Sequence, residues 1–246
     1  MSAPLVAYIL AVVFVATFIR SALGFGEALI AVPLLAMRIP ITIAAPLAVL
    51  ISVVVAAGIV VQDWRRVELR SASGLTLASL PGIPIGIFLL VRGNEPVVKS
   101  ILGILIAVFA IYSLASRTRR TLSADSHALL LGCGFLSGVM GGAYGMNGPP
   151  LAIYGGLRGW SPQHFRATLQ GYFLPASLAG LLGYAAAGLW DGAVTRYFLL
   201  SLPAVAAAIL LGRAINQRMS GERFLHFVYM GLLAIGAGLV VQALLR

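Results

Sequence analysis

Residues Arg20–Pro33 read RSALGFGEALIAVP, and this stretch decides the fold. It sits inside an apolar run, 4–37, yet it carries an arginine, two glycines, a glutamate and a proline. Glycine weakens a helix and lets the backbone approach a ligand closely. Proline removes an N–H donor and interrupts the helical hydrogen-bond ladder. The run is therefore expected to break near Gly24 and Gly26. A second stretch, Gly141–Pro150 (GGAYGMNGPP), breaks the apolar run 128–157 in the same manner. Non-helical backbone at membrane depth is tolerated only where protein or a watery cavity satisfies it. Two breaks at corresponding places in two halves of a chain point to a transport site.

The rest of the chain agrees with a membrane protein. Of its 246 residues, 60% are hydrophobic and 10% charged, with a mean hydropathy of +1.00. A soluble domain has about 45–50% apolar and about 25% charged residues. That contrast excludes an ordinary soluble protein and a disordered one. Six uninterrupted apolar runs, 41–61, 73–91, 97–115, 166–187, 194–212 and 223–244, have the length of a bilayer-crossing helix. The connecting segments are too short to house a soluble domain, so 1–246 reads as a single membrane domain. The N-terminus has no basic region before its first apolar run, which is expected to be structural rather than a cleaved signal. Cys133 stands alone and has no intrachain disulfide partner.

Seventeen Lys and Arg against seven Asp and Glu give a net charge of +10. These bases occupy gaps between apolar runs and form no aromatic-interleaved face. The pattern fits membrane-protein loops, and nucleic acid is not expected as a partner.

The halves align. Gly24 matches Gly145, Ala44–Leu47 matches Arg166–Leu169, and Leu80-Pro81 matches Leu202-Pro203. The expected architecture is all-α, with two homologous repeats, 1–122 and 123–246. Each is a Gly/Pro-broken, re-entrant-like helical hairpin plus three transmembrane helices. The bases discriminate between topologies. If each broken segment crosses once, eight bases fall on each side of the membrane. If each is a hairpin returning to its own side, eleven fall on one side and five on the other. The second arrangement restores the usual cytoplasmic excess of Lys and Arg. It favours inverted over parallel repeats, with both termini facing outward.

Few polar residues lie deep in these runs. Among acids only Glu27 is inside an apolar segment, and among bases only Arg20 is comparably deep. Intramembrane charges are costly and usually functional. The planar donor fork of Arg20 suits an anion. Burial disfavours the charged form of a carboxylate, which suits Glu27 to proton coupling or gating. The plainer alternative is an Arg20–Glu27 ion pair that only pins the hairpin. At the breaks, Gly24, Gly26, Gly145 and Gly148 open the backbone, and Pro149 with Pro150 limits the ladder. Helices starting after the breaks offer free N–H groups and a partial positive charge to an anion. Tyr144 and Asn147 add neutral donors, and Thr168 and Gln170 open the following helix near the second break. Trp64, Trp160 and Trp190 lie near segment ends as interface residues. Gly82 and Gly86 read as helix-packing positions. No metal cluster, nucleophile–base pair or phosphate loop is present, so neither an enzyme, a metal nor a cofactor is expected.

Gly24–Pro33 and Gly145–Pro150 together resemble the sulfite exporter TauE/SafE family of membrane permeases. That family's pattern is a Gly-rich turn followed by a Pro-containing apolar stretch, once per half. The likeness covers nearly the whole chain. Glu27 and Asn147 stand where the family's turns carry further glycines. The resemblance implies a multi-pass protein of the bacterial inner membrane that moves a small anion such as sulfite or an organosulfonate. Substrate-binding residues would be Arg20, Gly24, Gly26, Tyr144, Gly145, Asn147, Gly148, Pro149, Thr168 and Gln170, with Glu27 coupling or gating. Transport would proceed by alternating access, with protons and a second copy of the chain as optional partners. The competing readings are an anion or solute channel, which conducts without a proton-coupled cycle, and an assembly factor for another membrane protein.

Overall fold

The structure is a computed structural model that describes residues 3–63, 69–115, 127–160, 162–216 and 221–244. Eleven α-helices account for nearly all of the described residues, and no strand occurs among them. The first half holds α1 (Ala3–Leu23), α2 (Glu27–Ala36), α3 (Ile41–Asp63), α4 (Leu69–Ser79), α5 (Gly82–Arg92) and α6 (Glu95–Ala115). The second holds α7 (His127–Tyr144), α8 (Gly148–Leu157), α9 (Pro162–Ala186), α10 (Gly192–Asn216) and α11 (Gly221–Leu244). By length and apolar character, five of the described helices can cross a membrane, or six with α4 and α5 taken as one bent span.

The expected breaks fall where glycine permits them. Gly24, Gly26 and Gly145 have φ of +88°, +97° and +67°, a region that side chains rarely enter. Each half thus begins with a long helix, a short break and a ten-residue helix, α2 or α8. Helix α2 folds back along α1. Tyr8, near the start of α1, donates its hydroxyl to the carbonyl of Leu34, near the end of α2, at 2.6 Å.

The run expected as one helix over 73–91 is two. Helices α4 and α5 meet at Leu80-Pro81 with a bend of 43°. Pro81 has no N–H and its ring crowds the preceding turn. Both pieces pack on α7 through glycines on either side. A Cβ at Gly82 would lie 2.3 Å from the Phe135 carbonyl oxygen, and one at Gly138 would lie 2.0 Å from that of Ser79. Gly82 and Gly86 are packing positions, as their sequence context indicates.

Helix directions follow from these contacts. Gly134, Gly138 and Gly142 of α7 meet Leu75, Ser79 and Ile83 in the same order, so α7 runs parallel to α4 and α5. Helix α10 packs along α1, and their last turns meet where Gly212 abuts Phe18 and Ser21. Helix α3 opposes α9, because Val49 lies at Gly180 and Ser52 at Ser177. Helix α6 opposes α11, because Gly103 faces Gly236 and Leu239 while Phe109 stacks edge-on against Tyr229.

The interior is polar in places and the exterior apolar. Thr17, Arg20, Glu27, Ser52, Ser137, Asn147, Thr168 and Ser177 are buried. Phe88, Val108, Leu131, Leu182, Leu199 and Leu210 are exposed. A soluble protein would do the reverse; lipid is the solvent that suits this surface. The chain is an integral, multi-pass membrane protein.

Candidate functional site

The two breaks meet in the interior beside the crossing of α3 and α9. Between them lies a cavity of about 20 Å3, which holds about one water molecule. Its walls are the Gly26–Leu29 turn of α2, the Gly145–Gly148 break, Ser52 of α3, and Phe173 and Ser177 of α9, with Arg20 at one side.

Local sequence explains how the breaks form. The Gly24 N–H closes α1 on the Arg20 carbonyl at 2.6 Å, and the Gly145 N–H closes α7 on the Gly141 carbonyl at 2.8 Å. Both are left-handed glycine ends of a helix. The chain then restarts at once. Gly26 is a left-handed N-cap for α2 and offers no side-chain bond to the helix amides. Asn147 precedes α8, whose first turn contains Pro149 and Pro150; its side chain makes no capping bond either. Two helix starts, each with a partial positive end, thus border one cavity.

Charge is concentrated on the first-half side. Arg20 and Glu27 are 2% and 3% exposed. The Arg20 Nη1 donates to Glu27 Oε2 and to Ser52 Oγ, the latter at 2.6 Å. The other carboxylate oxygen of Glu27 accepts from Thr17 Oγ1 at 3.1 Å. The guanidinium carbon lies 5.0 Å from the centre of the Phe173 ring, a cation–π contact. Nε and Nη2 of Arg20 are buried and have no hydrogen-bond partner among the described residues. Such donors are costly to leave unsatisfied, and guanidinium N–H groups suit an oxyanion.

The second-half side is neutral and closely bonded. Ser137 donates to the Asn147 carbonyl at 2.6 Å, which uses its single proton. Tyr172 therefore donates to Ser137 Oγ at 3.0 Å and accepts from Asn147 Nδ2 at 3.2 Å. This network fixes the break from behind. Gly141 makes room for it, since a Cβ there would lie 2.6 Å from Asn147 Oδ1.

Of the residues expected from sequence, Arg20, Gly26, Glu27, Gly145, Asn147 and Gly148 line the cavity. Gly24 stands behind it as the end of α1. Tyr144 is placed elsewhere: its hydroxyl donates to the Val98 carbonyl at 3.1 Å and ties α7 to α6. Pro149 is buried in the first turn of α8 without lining the cavity. Thr168 is fully buried away from the cavity wall, and its hydroxyl has no partner among the described residues. The side chain of Gln170 lies outside the described residues, as does Trp64. Trp160 packs edge-on against Tyr154 and His164, and Trp190 is exposed. Sequence reading missed Thr17, Ser52, Phe173 and Ser177. For Thr17, Ser52 and Ser177 the available signal was a hydroxyl in the middle of an apolar run; Phe173 gave none. Among the described residues no cluster of three or more His, Cys, Asp and Glu side chains suits a metal ion.

The sequence pattern described as sulfite exporter TauE/SafE matches residues 9–239. A protein of Cupriavidus necator described as a probable sulfite/organosulfonate exporter, TauE, is 23% identical over 233 residues, covering 93% of this chain and 91% of that protein. No solved structure matches.

Proposed function

Since this chain belongs to the sulfite exporter TauE/SafE family, we propose that it is a secondary transporter exporting a small sulfur-containing anion, sulfite or an organosulfonate. The family is one of membrane exporters, and the chain is a membrane transporter of small anions rather than an enzyme.

One observation carries the site. A buried arginine, whose Nε and Nη2 have no partner among the described residues, sits where the starts of α2 and α8 border a cavity. An oxyanion there receives a side-on pair of N–H bonds from Arg20, the geometry guanidinium favours. The Glu27 bond uses Nη1 alone, so anion and carboxylate occupy different edges of the guanidinium. Glu27 then serves as the coupling group. Protonating it frees Nη1 and loosens Arg20 from α2, and loading the anion offsets the lost charge.

Alternating access is supported by the packing. Exchange of the two halves turns the α1–α10 contact into the contact of α7 with α4 and α5, and returns the α3–α9 and α6–α11 pairs to themselves. Both self-paired contacts are antiparallel, as a two-fold axis in the membrane plane requires. The repeats are accordingly taken as inverted, with α1–α2 and α7–α8 entering from opposite sides. The cavity has room for about one water, and it must widen on one side or the other to admit a four-atom anion.

The test is a thermal-shift screen of the purified protein against sulfite, methanesulfonate, acetate and sulfate. A bound ligand raises apparent stability by mass action. Stabilisation by sulfite or methanesulfonate that disappears in Arg20→Ala supports the site. Stabilisation that is unchanged in that variant removes it.

A further inference from the structure

The hydroxyls of Ser52 and Ser177 lie 3.3 Å apart at the crossing of α3 and α9, and both line the cavity. Either hydroxyl can donate within this pair, and the neighbouring guanidinium favours one direction. Arg20 Nη1 has only protons to give, so Ser52 Oγ accepts from it at 2.6 Å. Accepting from a cation polarises the Ser52 O–H and makes it the better donor, and its other partner among the described residues is Ser177 Oγ. In that direction Ser177 accepts, and its own proton has no protein acceptor among the described residues. Ser177 is 7% exposed and stands on the cavity wall.

We propose that Ser177 is an anion-binding donor and that Ser52 is the positioning residue that aims it. This rests on the Arg20 site described above and adds its missing second side. The anion receives N–H groups from Arg20 on α1 and an O–H group from Ser177 on α9, so it bridges the two halves of the chain. The direction Arg20 to Ser52 to Ser177 holds only while Arg20 is engaged with Ser52. Movement of the arginine therefore releases both donors together. The cavity wall then presents donors to the ligand from both sides, which suits a fully deprotonated oxyanion with several acceptor oxygens.

The experiment measures sulfite affinity of the purified full-length chain by thermal shift and calorimetry. Hydrogen bonds to charged groups are strong enough that Ser177→Ala is expected to weaken binding about tenfold or more. Ser52→Ala is expected to weaken it several-fold, and Ser52→Thr, which keeps the hydroxyl, to restore it. Once Ser177→Ala is present, Ser52→Ala should cost little more, because the two act in series. A packing role would instead give losses that add and no rescue by threonine. If either alanine variant fails to fold, Ser177→Thr is compared with the isosteric Ser177→Val, and only threonine should bind. Wild-type affinity in Ser177→Ala, or in Ser177→Val, with binding abolished in Arg20→Ala, overturns the proposal and leaves the Arg20 site standing. Binding that survives Arg20→Ala overturns both.

Discussion

Arg20 and Glu27 meet across the Gly24–Gly26 break, joined through Nη1 and Oε2, with each side chain about as buried as the core leucines around it. The break is what makes the pairing possible. Seven residues apart on a straight helix, the two side chains would be two turns apart. With α2 folded back on α1, they face each other.

Removing one partner strands the other. Arg20→Ala leaves an unpaired buried carboxylate, and such losses cost about 3–5 kcal/mol. The melting temperature should fall sharply. Arg20→Met combined with Glu27→Gln removes both charges and should recover much of that stability while remaining inactive in transport. Recovery of both stability and transport would mean the pair is only a pin.

The glycine seam between α7 and the bent α4–α5 pair should be intolerant of bulk. Gly138→Ala and Gly142→Ala each drive a Cβ to about 2 Å from a backbone carbonyl of α4 or α5. Overpacking of this kind costs about 1–3 kcal/mol or more. Gly132→Ala and Gly231→Ala, where a Cβ meets nothing within 4 Å, should melt like the wild type. Differential scanning fluorimetry in detergent compares the four.

Tyr144 and Asn147 are neighbours of one break with different expected phenotypes. Tyr144→Phe removes a bond to Val98 outside the cavity and should cost about 1 kcal/mol of stability. Its anion affinity should be unchanged. Asn147→Ala removes both a cavity wall and a bond to Tyr172, and it should lower affinity as well as stability. Melting curves with and without sulfite separate the two effects.

What was readable in the sequence was local chemistry. Gly24, Gly26 and Gly145 marked the breaks because only glycine sits easily at positive φ. Arg20 and Glu27 stood out because charge is scarce in an apolar run. What was not readable depended on rotation and packing. Tyr144 borders the break in sequence, but its side chain points at α6. Ser52 and Ser177 are unremarkable serines until two helices from different halves cross at them. The bend at Pro81 was hidden because composition and length see a continuous apolar run on both sides of it.

The membrane orientation has its own test. With inverted repeats and the basic loops inside, a tag at either terminus is accessible from outside intact cells. A cytoplasmic N-terminus would contradict that arrangement. Single-crossing broken segments would instead make α3 and α9 parallel, against the Val49–Gly180 and Ser52–Ser177 contacts.

Transport by protein reconstituted into liposomes tests the central claim most directly. Wild-type protein should move sulfite or methanesulfonate saturably and faster under an imposed pH gradient. Arg20→Ala should abolish this flux, and Glu27→Gln should remove its response to the gradient. Undiminished, gradient-dependent transport in both variants would contradict the account.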